Sequence, residues 1–347
     1  MTNSSLRWKG IHYDVGTHTR SRHTSSRDTF DHDIVRREIE LIRSELNCNA
    51  IRISGQDIER LTFAADCALE QGLSVWFSPA WIDATEPETL RYFAECAEAA
   101  EKLRLRSPEA EVIFVAGCEL SLFMSGLIQG RTSFDRIQTM MKPWLLLKST
   151  LVKGSFHKRL NRFLARATAE IRRHFHGPVT YASGSWENAD WSLFDIVGID
   201  YYRDAMNRSS YRDKLKAYFA YGKPVVVLEF GCCTYRGAED KGGYGWAIVD
   251  HDASPKKLKG RYVRDEQVQT AYMEELLQIF REEGVSGAFW YTFVSQTYPY
   301  AEQPEYDLDT ASYSVVRTIP GRHGTVYPDM PWEPKRSFYA LAACYKE

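Results

Sequence analysis

Short apolar runs alternate with amphipathic stretches along most of the chain. The runs are RWKGIHYDVG (7–16), NAIRISG (49–55), LSVWFSPAW (73–81), EVIFVAGCEL (111–120), PVTYASGSW (178–186), DIVGIDYY (195–202), KPVVVLEFG (223–231) and GAFWYTF (287–293). Each is short, rich in β-branched or aromatic residues, and bounded by Gly, Pro or polar positions, which predicts strands. Their near-continuous apolar character suits strands buried on both faces, as in a parallel sheet. Between them the period changes. Ile34, Val35, Ile39, Ile42 and Leu46 follow a helical spacing and predict a helix over 34–46. Further helices are predicted over 58–71, stopped by Gly72, over 88–105 after Pro87, over 270–283, stopped by Gly284, and over 338–345.

Eight predicted strands alternating with helices imply an α/β fold. The strand number and a length of 347 residues favour a (β/α)8 TIM barrel over a doubly wound sheet. The first strand runs into HYDVGTHTR, which lacks the Gly-rich turn of a dinucleotide-binding unit, and no P-loop motif occurs. Without internal repeats or low-complexity linkers, residues 1–347 read as a single domain. Three connections are long, 121–177, 232–286 and 294–333, and all follow strand C-termini, where a barrel carries its site. The last of these holds Tyr298, Tyr300, Tyr306 and Tyr313 and is expected to cap the cleft.

Composition narrows the function classes. The 44 Lys and Arg against 46 Asp and Glu leave a net charge of −2, which argues against a nucleic-acid binder. The segment 142–174 is locally basic and reads first as a solvated helix face, with an acidic partner as the other reading. No run is long and apolar enough for a membrane span, and no secretion signal is visible at the N-terminus. The 7 cysteines form no CxxC pair, and Cys232–Cys233 is vicinal. A cytoplasmic, reduced protein is expected, with no membrane partner, no metal and no cofactor. A metal-dependent barrel would carry His-x-His on its first strand, where His12–Tyr13–Asp14 stands here.

The candidate chemistry lies at the strand ends. Glu119 ends VAGCEL and Glu229 ends VVVLEF. Charged groups directly after buried apolar strands are unfavourable unless paired or functional. Two carboxyls facing one cavity suit glycoside hydrolysis, one protonated to donate to the leaving oxygen and one ionised. Arg52 ends the second strand and Tyr202 the sixth, and both are placed to hydrogen-bond a carboxylate. His12 and Asp14 end the first strand, Trp81 the third, and Trp186 with Glu187 the fifth, while Trp246 lies in a long connection. Trp290, on the eighth strand, is expected as an apolar floor for a sugar ring. These residues, with Cys118, form the expected substrate-binding set.

In these positions the chain resembles the clan A glycoside hydrolases, retaining (β/α)8-barrel enzymes, and a β-mannanase-like branch in particular. That clan carries its acid/base glutamate at the end of strand four and its nucleophile at the end of strand seven, which Glu119 and Glu229 match. Arg52 matches its strand-two arginine, Tyr202 in GIDYY its strand-six tyrosine, and Trp290 its strand-eight tryptophan. The resemblance implies hydrolysis of a β-glycosidic bond in an oligosaccharide or glycoconjugate, with a carbohydrate or glycosylated small molecule as partner. One position departs from the pattern. The clan places Asn before the acid/base residue, against the sugar 2-hydroxyl, and here Cys118 stands there, a weak hydrogen-bonding group. Two other readings therefore stay open: a repurposed barrel performing acid/base cyclisation or isomerisation of a small metabolite, and a catalytically inactive ligand-binding barrel.

Overall fold

The computed structural model describes residues 5–19 and 25–346. Eight parallel strands close into a barrel in the order β1-β10-β7-β6-β5-β4-β3-β2. They are β1 Trp8–Gly16, β2 Ala50–Gly55, β3 Ser74–Pro79, β4 Val112–Cys118, β5 Val179–Gly184, β6 Val197–Asp200, β7 Val225–Phe230 and β10 Gly287–Trp290. All eight lie within the apolar runs, and each is shorter than its run. Outside the barrel, β8 Val249–Asp250 pairs with β9 Lys257–Leu258, and β11 Val316–Thr318 pairs with β12 Trp332–Pro334, both antiparallel.

The helices are α1 His32–Ser44, α2 Ile58–Glu70, α3 Glu86–Arg106, α4 Leu120–Phe123, α5 Ser133–Met141, α6 Pro143–Lys153, α7 Phe156–His174, α8 Tyr211–Ala217, α9 Glu266–Glu283 and α10 Arg336–Lys346. Their starts follow local capping more closely than apolar periodicity. Asp31 caps α1 by accepting from the amides of Asp33 and Ile34, so the helix begins before the first apolar residue of the pattern. Asp265 caps α9 in the same way through Gln267, four residues ahead of the expected start. A Thr85–Glu88 capping box with Pro87 opens α3.

Strand alternation divides the apolar residues into two cores. Trp8, Trp76, Ile113, Val115, Leu228 and Phe289 fill the barrel interior. Ile11, Ile51, Val75, Phe114, Ile199 and Trp290 belong to the layer that packs against the helices. Gly10 sits where the Phe289 ring crosses the barrel; a β-carbon there would lie 2.2 Å from that ring. The cysteines Cys48, Cys67, Cys96, Cys118, Cys232, Cys233 and Cys344 are all free thiols. No described helix is long and apolar enough to cross a membrane.

Candidate active site

At the C-terminal mouth, the inward positions of β2, β6 and β7 bring one arginine and two carboxylates together. Arg52 is 1% exposed. Its Nη1 donates to Glu229 Oε1 at 3.0 Å and to the Leu228 carbonyl at 3.2 Å, and its Nε donates to Ser78 Oγ at 3.2 Å. Arg52 Nη1 also lies 3.5 Å from Asp200 Oδ1. From the other side the Tyr202 hydroxyl donates to Glu229 Oε2 at 3.3 Å. Both oxygens of Glu229 are therefore engaged, and the carboxylate is fixed in direction. The Cys118 thiol completes the group, with Sγ 3.3 Å from Asp200 Oδ2 and 3.6 Å from Glu229 Oε1.

Asp200 and Tyr202 stand two residues apart and point the same way, as strand alternation requires. Burial, then the charge of Glu229, pushes the Asp200 carboxyl well above the usual carboxylate range. One guanidinium faces both acids, and Glu229 holds the shorter contact.

Glu119 follows β4 in the left-handed region, at φ 43° and ψ 47°, a conformation uncommon for a residue with a side chain. Several hydrogen bonds hold it there. Its amide donates to the Ala182 carbonyl at 2.8 Å, and its carbonyl accepts from Leu122 at 2.8 Å. The next amide, that of Leu120, donates to the Tyr181 hydroxyl at 2.8 Å. Tyr181 in turn donates to Glu187 Oε2 at 2.7 Å, and Glu187 Oε1 accepts from the Ser121 amide at 2.9 Å. Burial, followed by the charges of Asp200 and Glu229, raises the Glu119 carboxyl well above its ordinary value. It therefore keeps its proton at pH values where a solvated glutamate has lost it. Tyr244 comes near enough that the Glu119 charge contributes to raising its phenol.

The other expected residues separate into those beside this group and those with different employment. His12 lies beneath Tyr291, ring centroids 4.7 Å apart, with Nδ1 2.9 Å from Thr292 Oγ1 and Nε2 2.6 Å from Ser54 Oγ. Burial, with the Arg52 charge second, lowers its pKa well below the ordinary value, so the ring is neutral. Asp14 Oδ1 accepts from the Gly16 amide at 3.0 Å, and the Asp14 charge is among those that raise the Tyr291 phenol.

Glu187 is a correction to the expected binding set. Its carboxylate is buried and spent on Ser121, Tyr181, Ser183 and Gly184, so it holds the Glu119 turn and faces no cleft. Trp290 is a second correction. It is fully buried, donates from Nε1 to the Tyr313 carbonyl at 2.9 Å, and meets Phe230 edge-on at 5.2 Å in the outer layer. The two-residue strand period puts its neighbours Phe289 and Tyr291 on the inner side instead. Trp81 stands edge-on to Tyr92 at 5.5 Å. Trp186 donates from Nε1 to Ser121 Oγ at 3.0 Å and joins a small cluster with Leu122 and Phe156. Trp246 packs near His251, ring centroids 5.9 Å apart. Trp186 spends its Nε1 on Ser121 and not on the carboxylate group.

Sequence reasoning missed Asp200 and Tyr291. Both were signalled by spacing, Asp200 two residues before Tyr202 and Tyr291 two after Phe289. Among the described residues, one grouping brings metal-ligating side chains together, Cys118, Asp200 and Glu229, with donor atoms within 4.8 Å of one another. Arg52 already supplies a cation between its two carboxylates, so the set is complete with its own charge. A separate cavity of about 740 Å³ lies to one side, lined by Ser26, Asp28, Lys256, Gln296 and Gln303 among others, and it does not include the carboxylate group.

No family model matches the chain, and no curated protein matches it. Solved structures do resemble it in fold. A complex of a GH113 β-1,4-mannanase superposes with a TM-score of 0.63 at 15% identity, covering 99% of this chain and 100% of that one. The GH113 β-mannanase AaManA from Alicyclobacillus acidocaldarius, in complex with ManMIm, gives 0.57 at 14% identity, covering 100% and 99%. A β-glucuronidase from Ruminococcus gnavus gives 0.53 at 14% identity, covering 98% of this chain and 49% of that one. The barrel is thus one that several glycoside hydrolases share over their length or over a large part of it.

Proposed function

We propose that the chain is a retaining β-glycoside hydrolase of the clan A type, with Glu229 as nucleophile and Glu119 as acid/base. The observation that carries this reading is the pairing of unlike carboxyls at one barrel mouth. Glu229 is aimed by Arg52 and Tyr202, and Glu119 is held in its protonated form by burial and by the charges of its neighbours. A protonated acid beside a fixed carboxylate is what the retaining mechanism needs. Glu119 gives its proton to the departing glycosidic oxygen while Glu229 attacks the anomeric carbon, forming a glycosyl ester. Glu119, now ionised, takes a proton from water, whose oxygen displaces Glu229 and restores both groups.

Tyr291 takes the place expected of Trp290 as the aromatic wall beside the nucleophile, since the Glu229 charge is felt at its phenol. Cys118 is tied to Asp200 and offers the substrate far less than an amide would. The fold likeness to β-mannanases makes β-mannosides the first substrates to try, with β-glucuronides next because of the R. gnavus likeness.

The test is a screen of aryl β-glycosides with the wild type and Glu229→Gln. Turnover of at least one glycoside, lost in the variant at unchanged melting temperature, is expected. Equal turnover in both proteins would remove Glu229 as nucleophile.

A further inference from the structure

The most apolar helix on the surface is also among the most exposed. In α6, PWLLLKSTLVK, six of the eleven residues are Trp, Leu or Val. A helix this apolar is ordinarily buried. Here only one side is covered, by way of Ser149 and Leu146. Trp144 is 65% exposed, Leu147 61%, Leu151 79% and Val152 71%. Positions 144, 147 and 151 fall on one stripe of the helix, and Lys148 lies beside them.

The stripe is strongly cationic at its edges. Between residues 131 and 166 the chain carries nine Lys and Arg against one acid, Asp135, in a protein whose net charge is −2. Lys142, Lys148 and Lys153 flank the apolar row, and no described carboxylate pairs with them. The supporting structure is well anchored. Arg136 of α5 is fully buried, ion-paired to Asp83, and donates to the carbonyls of Leu122, Gly130 and Phe123. The hairpin of α5 and α6 is therefore fastened to the barrel, and its outer face is a built surface. It emerges from the connection after β4, on the mouth side. Leu146 shares a small apolar cluster with Trp186, which opens the connection after β5 at the same mouth.

We propose that α6 is an interfacial helix that lays this mouth-side face on an anionic lipid bilayer. An apolar row bearing Trp and Leu with lysines along its edges enters the headgroup layer of such a membrane, the side chains reaching the acyl boundary and the ammonium groups the lipid phosphates. A second copy of the chain fits less well, because it would bring the lysines of two such faces together. Nucleic acid would use the cations but leave Leu147, Leu151 and Val152 in water. The missing membrane span does not bear on this, since such a helix lies on the surface. Resting on the glycosidase reading, the same docking would hold the barrel mouth against glycolipid headgroups.

The test is flotation of the full chain with vesicles of phosphatidylcholine alone and of phosphatidylcholine doped with phosphatidylglycerol. Flotation scores docking whether or not the chain hydrolyses any glycoside, so the two readings fail separately. The wild type is expected to float with the anionic vesicles, to stay down with the neutral ones, and to be released by high salt. Trp144→Ser with Leu151→Ser is expected to abolish flotation. Lys148→Ala is expected to weaken partitioning about five-fold while leaving the apolar row intact, and melting curves check that the variants fold. Failure of the wild type to float with anionic vesicles would overturn the proposal. So would a concentration-dependent dimer, dissolved by Leu151→Ser, in a protein that ignores vesicles.

Discussion

Burial raises the proton affinity of both Glu119 and Asp200, and the charge of Glu229 adds to it in each. For Glu119 the consequence is a pH profile. On the proposed mechanism turnover needs its proton, so activity is expected to fall as pH rises through its pKa, with the alkaline limb well above the ordinary glutamate value of roughly 4.3. Glu119→Gln should lower kcat by about 10²–10⁴-fold on glycosides with poor leaving groups and remove that limb. A pH series of kcat/KM on both proteins measures this.

For Asp200 the consequence is stability. Its folded pKa is raised, so the carboxyl binds its proton more tightly in the native chain than in the unfolded one. Stability is therefore full at low pH and is lost as pH rises above the unfolded value toward the folded one. Asp200→Asn removes that loss. Its melting temperature is expected to exceed the wild type's at pH 8, by about 1–2 °C for each 1 kcal/mol recovered, and to equal it at pH 3. A lower melting temperature for the variant at pH 8 would mean that the Arg52 and Cys118 contacts outweigh the repulsion.

The strand alternation that places Asp200 and Tyr202 side by side also shows how much of the site could be read in advance. The barrel class, the strand runs and the grouping of Arg52 and Tyr202 around a carboxylate follow from polar residues ending apolar strands, whereas Cys118 is expected only against the substrate. What failed was the side to which a strand turns its residues. A run such as GAFWYTF is apolar on both faces, so hydrophobicity does not tell Trp290 from Tyr291, and the outer layer takes the tryptophan. Glu187 was misread for another reason, since Tyr181, six residues back on β5, and Ser121, just after β4, turn onto its carboxylate in a way the apolar pattern does not mark.

Three variants separate these cases. Trp290→Ala empties an outer-layer position and is expected to destabilise by about 3–5 kcal/mol, whereas Tyr291→Ala is expected to raise KM with a smaller loss of stability. Glu187→Ala leaves the Ser121 amide and the Tyr181 hydroxyl short of an acceptor and is expected to cost about 1–3 kcal/mol. It should also lower kcat, because the turn carrying Glu119 loses its brace. Denaturant melts and steady-state kinetics on the three proteins decide the matter.

Across the whole molecule, the barrel closes where its first and last strands meet, β1 against β10. The C-terminal helix covers that seam. The Tyr345 hydroxyl lies 2.9 Å from both the Gly10 and the Ala288 carbonyls, and Lys9 Nζ donates to the Tyr345 carbonyl at 2.7 Å. The site at the mouth thus depends on a chain end far from it in sequence, and the long connections build walls upon a cylinder already fastened. On the proposed mechanism Glu229 bonds covalently to a sugar and Glu119 assists its release. The most direct measurement incubates the protein with a 2-deoxy-2-fluoro analogue of its best aryl glycoside and maps the adduct by peptide mass spectrometry. One glycosyl group per chain is expected on the peptide carrying Glu229, absent from Glu229→Gln. An active enzyme that yields no adduct and releases its product with inverted anomeric configuration would contradict this mechanism.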